Sequence, residues 1–285
     1  MKIYEKGYSG IGNDQEWSTR AIEGRQGLQK RAKEDKGFIM TSKNFEVVLA
    51  NDQWSRRIHY QLRYQVFCLE TGYEDPAQFP DEEEKDEWDE NSAHLLVQER
   101  ATGQWVAAMR LVLPYAHSLP IEKRVDIETS LRRDQRKSAE ISRLCMVGHY
   151  RRRLQGRVMP CSGQSSEQDK ITQESMRAEL KKQQHTAEIL QVLLNAAVAI
   201  SGERGIGYWY MLTTRALAKV LGSVLPMNLQ LAGPPCSHRG ERYPFLVDVG
   251  QVMNGLAQLS GHSPSYRLHS DIAADLAISK VVGAE

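Results

Sequence analysis

The stretch HLLVQERATGQWVAAMRLVLP, residues 94–114, decides the fold class of this chain. Apolar residues dominate both arms, and the short turn ATGQ separates them, so the pattern predicts a β-hairpin. The segment AEISRLCMVG, residues 139–148, predicts a further strand. Upstream, NFEVVLA at 44–50 predicts a short strand, and it is followed by a helix rather than by another hairpin arm.

That helix is indicated by a four-residue repeat of apolar side chains, Trp54, Ile58, Leu62 and Val66. Asn51 or Asp52 provides a cap, and Gly72 a stop. Downstream, the order is a largely apolar helix at about 184–202, a strand at 207–214, a helix at 215–222, strands at 228–233 and 243–249, and a final helix near 251–260. This alternation predicts an α/β protein with a single mixed sheet and helices on both faces.

The predicted domain spans residues 41–260. Residues 1–40 are expected to form a polar extension, residues 151–183 a mobile insertion rich in basic, Ser, Gln and Lys residues, and residues 261–285 a tail. The chain shows no run of 18 apolar residues and no apolar core of a signal peptide near its start. We therefore expect a cytoplasmic protein, and peripheral contact with a membrane is left open.

Composition restricts the function classes. A formal net charge of +1 excludes behaviour as a global polyelectrolyte, so nucleic-acid binding would need a local patch with a recognised motif, and none is found. Cys68, Cys145, Cys161 and Cys236 are widely spaced and lack a CxxC pair. Reduced, buried thiols are expected, and no metal site is predicted.

Charge is nevertheless segregated along the chain. Residues 70–90 contain eleven acidic residues and only one base, whereas residues 123–157 contain eleven basic residues and four acidic ones. Two oppositely charged surfaces are expected. The basic block is either a solvated surface or a site for an acidic partner, a phosphate or a nucleotide. Within the acidic run, Asp81 to Glu84 are interpreted as a solvated loop.

Several chemically informative residues follow one another in a fixed order. Arg63 and Phe67 lie four apart on the first helix, and Tyr73 follows in the loop. The remaining members are Asp86, Asp89, Arg110, Glu140 and Arg143, the last two within EISR. This order and spacing resemble the LuxI-type acyl-homoserine-lactone synthases. They are closer still to the N-acyl amino acid synthases of the PEP-CTERM/exosortase-associated acyltransferase group. Both groups are GNAT-like, and the resemblance covers about Phe45 to Val249.

The resemblance implies an enzyme that moves a fatty acyl group from acyl carrier protein to the amino group of an amino acid or similar small amine. The donor would be an acyl-phosphopantetheine thioester, on the carrier protein or on CoA, and no permanently bound cofactor is expected. Two alternatives are an autoinducer synthase using S-adenosylmethionine and a non-catalytic module that binds acyl thioesters. Tyr73 stands where LuxI-type enzymes usually have a tryptophan, which favours a smaller acceptor.

By the same resemblance, Glu140 and Arg143 are the candidate catalytic residues, and Glu140 is the candidate general base, because an amine attacks a thioester only as its free base. A structural carboxylate paired with Arg110 or Arg143 is the alternative role. One of those two arginines is also the candidate for binding the acceptor's carboxylate. The acceptor-binding site and its ion-pair network are expected to comprise Arg63, Phe67, Tyr73, Asp86, Asp89 and Arg110. Backbone N–H groups around Leu144 to Val147 could polarise the carbonyl of the thioester.

The paired acidic residues Asp86 and Asp89 are expected to face Arg63, Arg110 and Arg143 in an alternating charge cluster. A covalent route through Cys145 with His149 as its base is a weaker alternative, because a strand cysteine is more often packing. His94 is expected to pack or to form a hydrogen bond at a loop end. The arginines of YRRRLQGR are predicted to dock acidic acyl carrier protein: Arg151, Arg152, Arg153 and Arg157.

Overall fold

The computed structural model describes residues 38–114, 118–151, 166–224 and 226–260. The strands are β1 (Phe38–Thr41), β2 (Phe45–Leu49), β3 (Ser92–Glu99), β4 (Trp105–Val112), β5 (Ser138–Met146), β6 (Tyr208–Thr213), β7 (Gln230–Leu231), β8 (Cys236–Ser237) and β9 (Glu241–Asp248). The helices are α1 (Gln53–Tyr64), α2 (Ser166–Arg204), α3 (Arg215–Val224) and α4 (Val249–Ser260), and α1 continues as a π-helix, Gln65–Glu70.

The strands form a mixed sheet in the order β1-β2-β3-β4-β5-β6-β9-β7, with β8 paired to β9. Within this order β5 and β6 run parallel, and the other pairs are antiparallel. The predicted hairpin is confirmed as β3 and β4, in which Leu96 lies opposite Ala108. The predicted single mixed sheet is therefore confirmed.

Helices cover both faces of this sheet. On one face, Leu62 and Val66 of the α1 segment pack in a buried cluster with Leu96 and Ala108. Phe45 belongs to the opposite face, since side chains alternate along paired strands, and its ring lies 5.4 Å from that of His185 on α2. The predicted arrangement of helices on both faces is confirmed.

The start and end of the first helix follow from local chemistry. Asp52 is the N-cap, and its carboxylate accepts hydrogen bonds from the N–H groups of Trp54 and Ser55 at 2.8 and 2.9 Å. The π-helix that continues α1 ends just before Gly72, whose φ of +63° only glycine adopts readily. The Phe67 carbonyl then accepts two N–H groups from the following loop, which fixes the loop's path.

The sheet opens between β5 and β6. The two strands pair from Ser138 opposite Tyr208 as far as Ile141 opposite Met211, and beyond that point β5 pairs with β4 alone. The β4–β5 register is interrupted by a bulge at Arg143, whose φ is +50°. A bulge bends a strand and redirects a side chain, so it aims Arg143 towards the opening.

Three features differ from the sequence prediction. Helix α2 begins at Ser166, so it includes residues 166–183 of the predicted insertion. These residues are rich in Glu, Gln and Lys, which favour helix without producing an apolar stripe. Strand β1 begins at Phe38, inside the predicted extension, and β8 was not predicted. Residues 1–37, 152–165 and 261–285 of the predicted extension, insertion and tail lie outside the described residues. Over the part of the chain that is described, none of the helices combines the length and the apolar character needed to span a bilayer.

Candidate functional site

Six charged side chains form a closed ring of alternating sign beside the opening of the sheet. In order around the ring, they are Arg63, Glu84, Arg143, Asp86, Arg110 and Asp89. Within the ring, each arginine contacts two carboxylates and each carboxylate contacts two arginines; Arg143 also lies 3.9 Å from Glu74, which is outside the ring. The ring therefore has a formal charge of zero, and the predicted alternating cluster is present with one additional member.

The deeper half of the ring is almost closed to solvent. Arg63 is 0% exposed, and it donates to Glu84 at 2.6 Å and to Asp89 at 2.6 and 3.2 Å. Burial by itself would raise the pKa of Asp89, but Arg63 and Arg110 outweigh it and hold that pKa well below its ordinary range. A buried ion is tolerated when every charge has a hydrogen-bonded partner, so the ring acts as one unit.

The other half of the ring faces the opening. Arg110 donates to Asp86 at 2.5 Å and to Asp89 at 2.9 Å, and its Nε donates to Ser142 at 3.0 Å. Arg143 donates to Asp86 at 2.8 Å and to Glu84 at 3.0 Å. The guanidinium groups of Arg110 and Arg143 are thus each held by two carboxylates of the ring.

Glu84 corrects the sequence interpretation of residues 81–84 as a solvated loop. Its side chain is 1% exposed, and its backbone N–H donates to the Tyr60 carbonyl on α1 at 3.2 Å. Glu83 also pairs, with Arg57 at 2.8 Å, whereas Asp81 and Glu82 are exposed. Nothing in a run of four acidic residues distinguishes the fourth, because only the folded loop brings it to Arg63 and Arg143.

Glu140 lies on β5, between Val112 of β4 and Tyr210 of β6. It is 4% exposed, and its Oε2 accepts the N–H of Ile121 at 2.7 Å. Burial raises its pKa to about 7, although this hydrogen bond and Arg110 partly oppose the shift. Within the described residues Glu140 forms no ion pair, so the alternative role as a partner of Arg110 or Arg143 lacks a contact. A carboxylate that titrates near neutrality is suited to accept a proton.

A cavity of about 230 Å³ occupies the opening between β5 and β6. Glu140 and Arg143 line it from β5, and residues 211–214 line it from β6. Three aromatic side chains, Phe67, Tyr73 and Trp88, line it from the α1 side. The structure thus brings every predicted site residue from Arg63 to Arg143 to this cavity or to the ring beside it.

Some predicted chemical groups are committed elsewhere. The N–H of Val147 donates to the Val106 carbonyl at 3.0 Å, so it is not available to a ligand's carbonyl oxygen. Burial raises the pKa of the Cys145 thiol to about 12, which removes the thiolate at neutral pH. Strand β5 ends at Met146, so His149 does not continue the strand face of Cys145. The covalent route therefore lacks both its thiolate and its expected base geometry.

Two further predictions concern His94 and the arginine patch. His94 is fully buried, and its Nε2 donates to the Asp89 carbonyl at 2.9 Å, as expected of a loop-end hydrogen bond. In the patch, Arg151 pairs with Glu70 at 3.2 Å, and its side chain is 40% exposed. Arg152, Arg153 and Arg157 lie outside the described residues.

Sequence reasoning missed Glu84, Trp88, Arg124 and Arg242 as members of this region. Trp88 lies four residues before the first residue of β3, Ser92, and lines the cavity, with Lys123 packed 4.6 Å from the centre of its ring. Arg124 and Arg242 line the cavity from segments far apart in the chain. No local pattern marks these residues, because their common feature is their position around the cavity.

Comparisons with known proteins bear on the fold and on the segment that contains the site. Residues 62–159 match the family model of the acetyltransferase (GNAT) domain, and this range includes the whole ring and Glu140. No curated protein matches the chain in sequence.

Three solved structures are similar at low sequence identity. The CoA-dependent acyl-homoserine lactone synthase BjaI, with SAM and isopentyl-CoA, is 18% identical, with 81% of this chain and 97% of that chain covered and a TM-score of 0.52. TofI, in a ternary complex with an inhibitor and MTA, is 18% identical, with 75% and 96% covered and a TM-score of 0.50. FeeM, an N-acyl amino acid synthase from uncultured soil microbes, is 10% identical, with 75% and 97% covered and a TM-score of 0.42.

The likenesses to BjaI and TofI establish the fold, and the family match lies on the segment that carries the ring and the buried glutamate. Residues 62–159 therefore match a GNAT acetyltransferase domain, within a fold that is shared with BjaI and TofI.

Proposed function

We propose that this chain is an N-acyltransferase that moves a fatty acyl group from an acyl carrier protein thioester to the amino group of an amino acid or similar small amine. The observation that carries the proposal is Glu140, a buried carboxylate with a pKa of about 7 inside a cavity at the opening of the sheet. An acceptor amine is protonated at neutral pH and must lose a proton as the amide bond forms.

In the proposed reaction, the acyl thioester enters the opening where β5 no longer pairs with β6. The ammonium group of the acceptor first loses one proton to solvent, and the free amine nitrogen then attacks the thioester carbonyl carbon. Glu140 accepts a second proton from this nitrogen, and the carbon–sulfur bond breaks. The donor leaves as a free thiol once its sulfur has gained a proton. The ring holds Arg143 and Asp86 rigidly at the cavity wall, because each of its six members is bonded to two others.

The size of the cavity supports a small acceptor. At about 230 Å³, it lies below the range of about 300–1,000 Å³ that is typical of pockets for drug-sized ligands. S-adenosylmethionine carries an adenine ring and a sulfonium in addition to its amino acid group, so it would occupy more of this space than an amino acid.

Autoinducer synthesis from S-adenosylmethionine is the second candidate function. Tyr73 replaces the tryptophan of LuxI-type enzymes, but Trp88 lines the same cavity and offers an aromatic surface of the kind that such a ligand needs. Tyr73 alone therefore does not decide between the two acceptors.

The proposal is tested by incubating the purified chain with an acyl-loaded carrier protein and, separately, with acyl-CoA. Each donor is offered the twenty amino acids in turn or S-adenosylmethionine, and free thiol and product mass are recorded. Thiol release with an N-acyl amino acid as product supports the proposal. An acyl-homoserine lactone formed only with S-adenosylmethionine favours the second candidate, and binding of the donor without thiol release indicates a non-catalytic module.

The donor is decided by the same assay. Acyl carrier proteins are acidic, and the predicted docking patch includes Arg151, which is already partly engaged by Glu70. A preference for the carrier-bound donor that weakens with ionic strength supports docking by a basic surface. Equal rates with CoA across ionic strength would contradict it.

A further inference from the structure

A second set of arginines lines the cavity without belonging to the ring. Arg124 follows the short turn Pro120–Lys123, and Arg239 and Arg242 flank Gly240 just before and within β9. Glu140 lies in the same cavity. The mechanism above assigns none of these three arginines a role.

Among the described residues, two of the three arginines have no carboxylate to neutralise them. Arg239 pairs with Glu74. Over the described ranges, by contrast, no Asp or Glu oxygen lies within 4 Å of the guanidinium nitrogens of Arg124 or Arg242. The polar contact of Arg242 is with the Glu241 backbone carbonyl at 3.2 Å, and its guanidinium lies 5.6 Å from the centre of the Tyr73 ring. Both guanidinium groups lie near enough to His238 to lower its pKa, so an anion beside this imidazole would gain charge-assisted contacts from both arginines.

Arg124 is positioned by a neutral partner. Its Nη1 lies 3.1 Å from Nδ1 of His238, and an arginine can only donate, so this Nδ1 accepts. Burial, together with repulsion from Arg124, Arg143 and Arg242, lowers the pKa of His238 to about 4. The imidazole therefore orients Arg124 at neutral pH without cancelling its charge.

The backbone conformation at this wall is also unusual. Arg239 has a φ of +54° and Arg143 one of +50°, both in the left-handed region that a non-glycine residue adopts at a cost of about 1 kcal/mol or more. Both side chains line the cavity. Such conformations concentrate at sites that bind ligands, where surrounding structure maintains them.

The ring is a poor site for an additional anion, because each of its arginines is already bonded to two carboxylates. Arg124 is in a better position. It lies three residues after Ile121, whose N–H binds Glu140, and Arg124 opposes the rise in the pKa of Glu140. In an amino acid, the amine and the carboxylate are attached to one carbon, so a carboxylate at Arg124 keeps the amine close to Glu140.

We propose that Arg124 and Arg242 bind the carboxylate of the amino acid acceptor, in place of Arg110 or Arg143. The inference rests on the proposed N-acyltransferase function and specifies how that function selects its acceptor. A phosphate of the donor is the other anion with suitable chemistry. A pantetheine arm separates that phosphate from the thioester, whereas the acceptor's carboxylate must lie beside the reacting amine, so the acceptor is favoured.

The test compares Arg124→Gln and Arg242→Gln with Arg136→Gln, a control at a side chain that is 89% exposed and outside the cavity. KM and kcat are measured for an amino acid accepted by the wild type, for its methyl ester and for the acyl donor. We expect each cavity variant to raise the KM for the free amino acid by about ten-fold or more, since a hydrogen bond between charged groups is lost. The KM values for the ester and the donor should stay within two- to three-fold of the wild-type values. All values for the control should stay within the same limits.

Three results would overturn the inference. Unchanged KM for the free amino acid in a folded variant, with transfer intact, refutes the carboxylate site and leaves the proposed function standing. A rise confined to the KM of the donor assigns the two arginines to a donor phosphate. Absence of acylation of any amine by the wild type refutes the proposed function and the inference together. Circular dichroism of each variant confirms that a rise in KM does not reflect unfolding.

Discussion

Replacing Glu140 with glutamine should change both the stability and the activity of the protein in a pH-dependent way. The ordinary pKa of this side chain is 4.5, and burial raises it to about 7 in the folded protein. A carboxyl with a raised pKa favours the folded state while it is protonated, so this stability is fully present below pH 4.5. It is lost as the pH rises towards 7, because the unfolded chain then releases a proton that the folded chain still holds.

The size of this effect follows from the difference between the two pKa values. It corresponds to about 3 kcal/mol lost from the free energy of unfolding between pH 4 and pH 8. Glutamine resembles the protonated glutamate, and its Oε1 can still accept the Ile121 N–H. We therefore expect Glu140→Gln to match the wild type near pH 4 and to exceed it by about 3 kcal/mol at pH 8.

The measurement is urea unfolding of both proteins at half-unit steps from pH 4 to pH 8, with Glu128→Gln as a control at an exposed glutamate. The free energy of unfolding of the control should follow that of the wild type at every pH. In transfer assays, Glu140→Gln should lose about 10²–10⁴-fold in rate, and the wild-type rate should rise with pH through about 7. If the stability of Glu140→Gln runs parallel to that of the wild type across this pH range, the pKa of Glu140 is not raised. Near-normal turnover by the variant would exclude Glu140 as the base.

Three other predictions concern the ring and the buried thiol. Glu84→Ala leaves the buried Arg63 with one carboxylate fewer, so it should lower the free energy of unfolding by about 3–5 kcal/mol in the same urea experiment. The control Asp81→Ala, at an exposed site in the same acidic run, should change that free energy by no more than about 0.5 kcal/mol. The pKa of Asp89 is lowered in the folded protein, so its contribution to stability is present above its unfolded pKa, near 4, and is lost as the pH falls below that value. In acid unfolding, Asp89→Asn should therefore lose less stability than the wild type below pH 4. An unchanged acid transition would contradict the pairing. Cys145→Ala should retain transfer within a few-fold, and no acylated enzyme should appear by intact mass; a covalent acyl-cysteine would reverse this assignment.

The strands of the sheet and the helices that pack on it were largely predictable from the sequence, because the patterns that mark them lie between neighbouring residues. In β3 and β4, apolar side chains dominate two short runs separated by a turn, and this pattern is a property of neighbouring residues. The same is true of α1, whose Asp52 cap acts two and three residues away. The length of α2 was underestimated because its polar first half has helix-favouring composition but no apolar repeat.

The site was only partly predictable. The order of Arg63, Asp86, Asp89, Arg110 and Arg143 suggested a charge cluster, and the structure contains one. These residues were selected from the sequence as one set because of the resemblance to a known family, and no local rule would have selected them. Whether Glu140 would be solvated or buried could not be read from EISR, because its burial depends on its position in the folded sheet, between β4 and β6, and this burial is what raises its pKa.

Only the tertiary structure decided which charges belong together. Glu84 and Asp81 lie in the same acidic run, yet one is buried between two arginines and the other is exposed. Arg124 and Arg242 are more than a hundred residues apart and line one cavity. Secondary structure follows from interactions between near neighbours, which a sequence displays directly. Charge pairing and desolvation depend on distances across the folded chain. Tertiary packing therefore determined the ring, the raised pKa of Glu140 and the position of two arginines that have no carboxylate partner among the described residues.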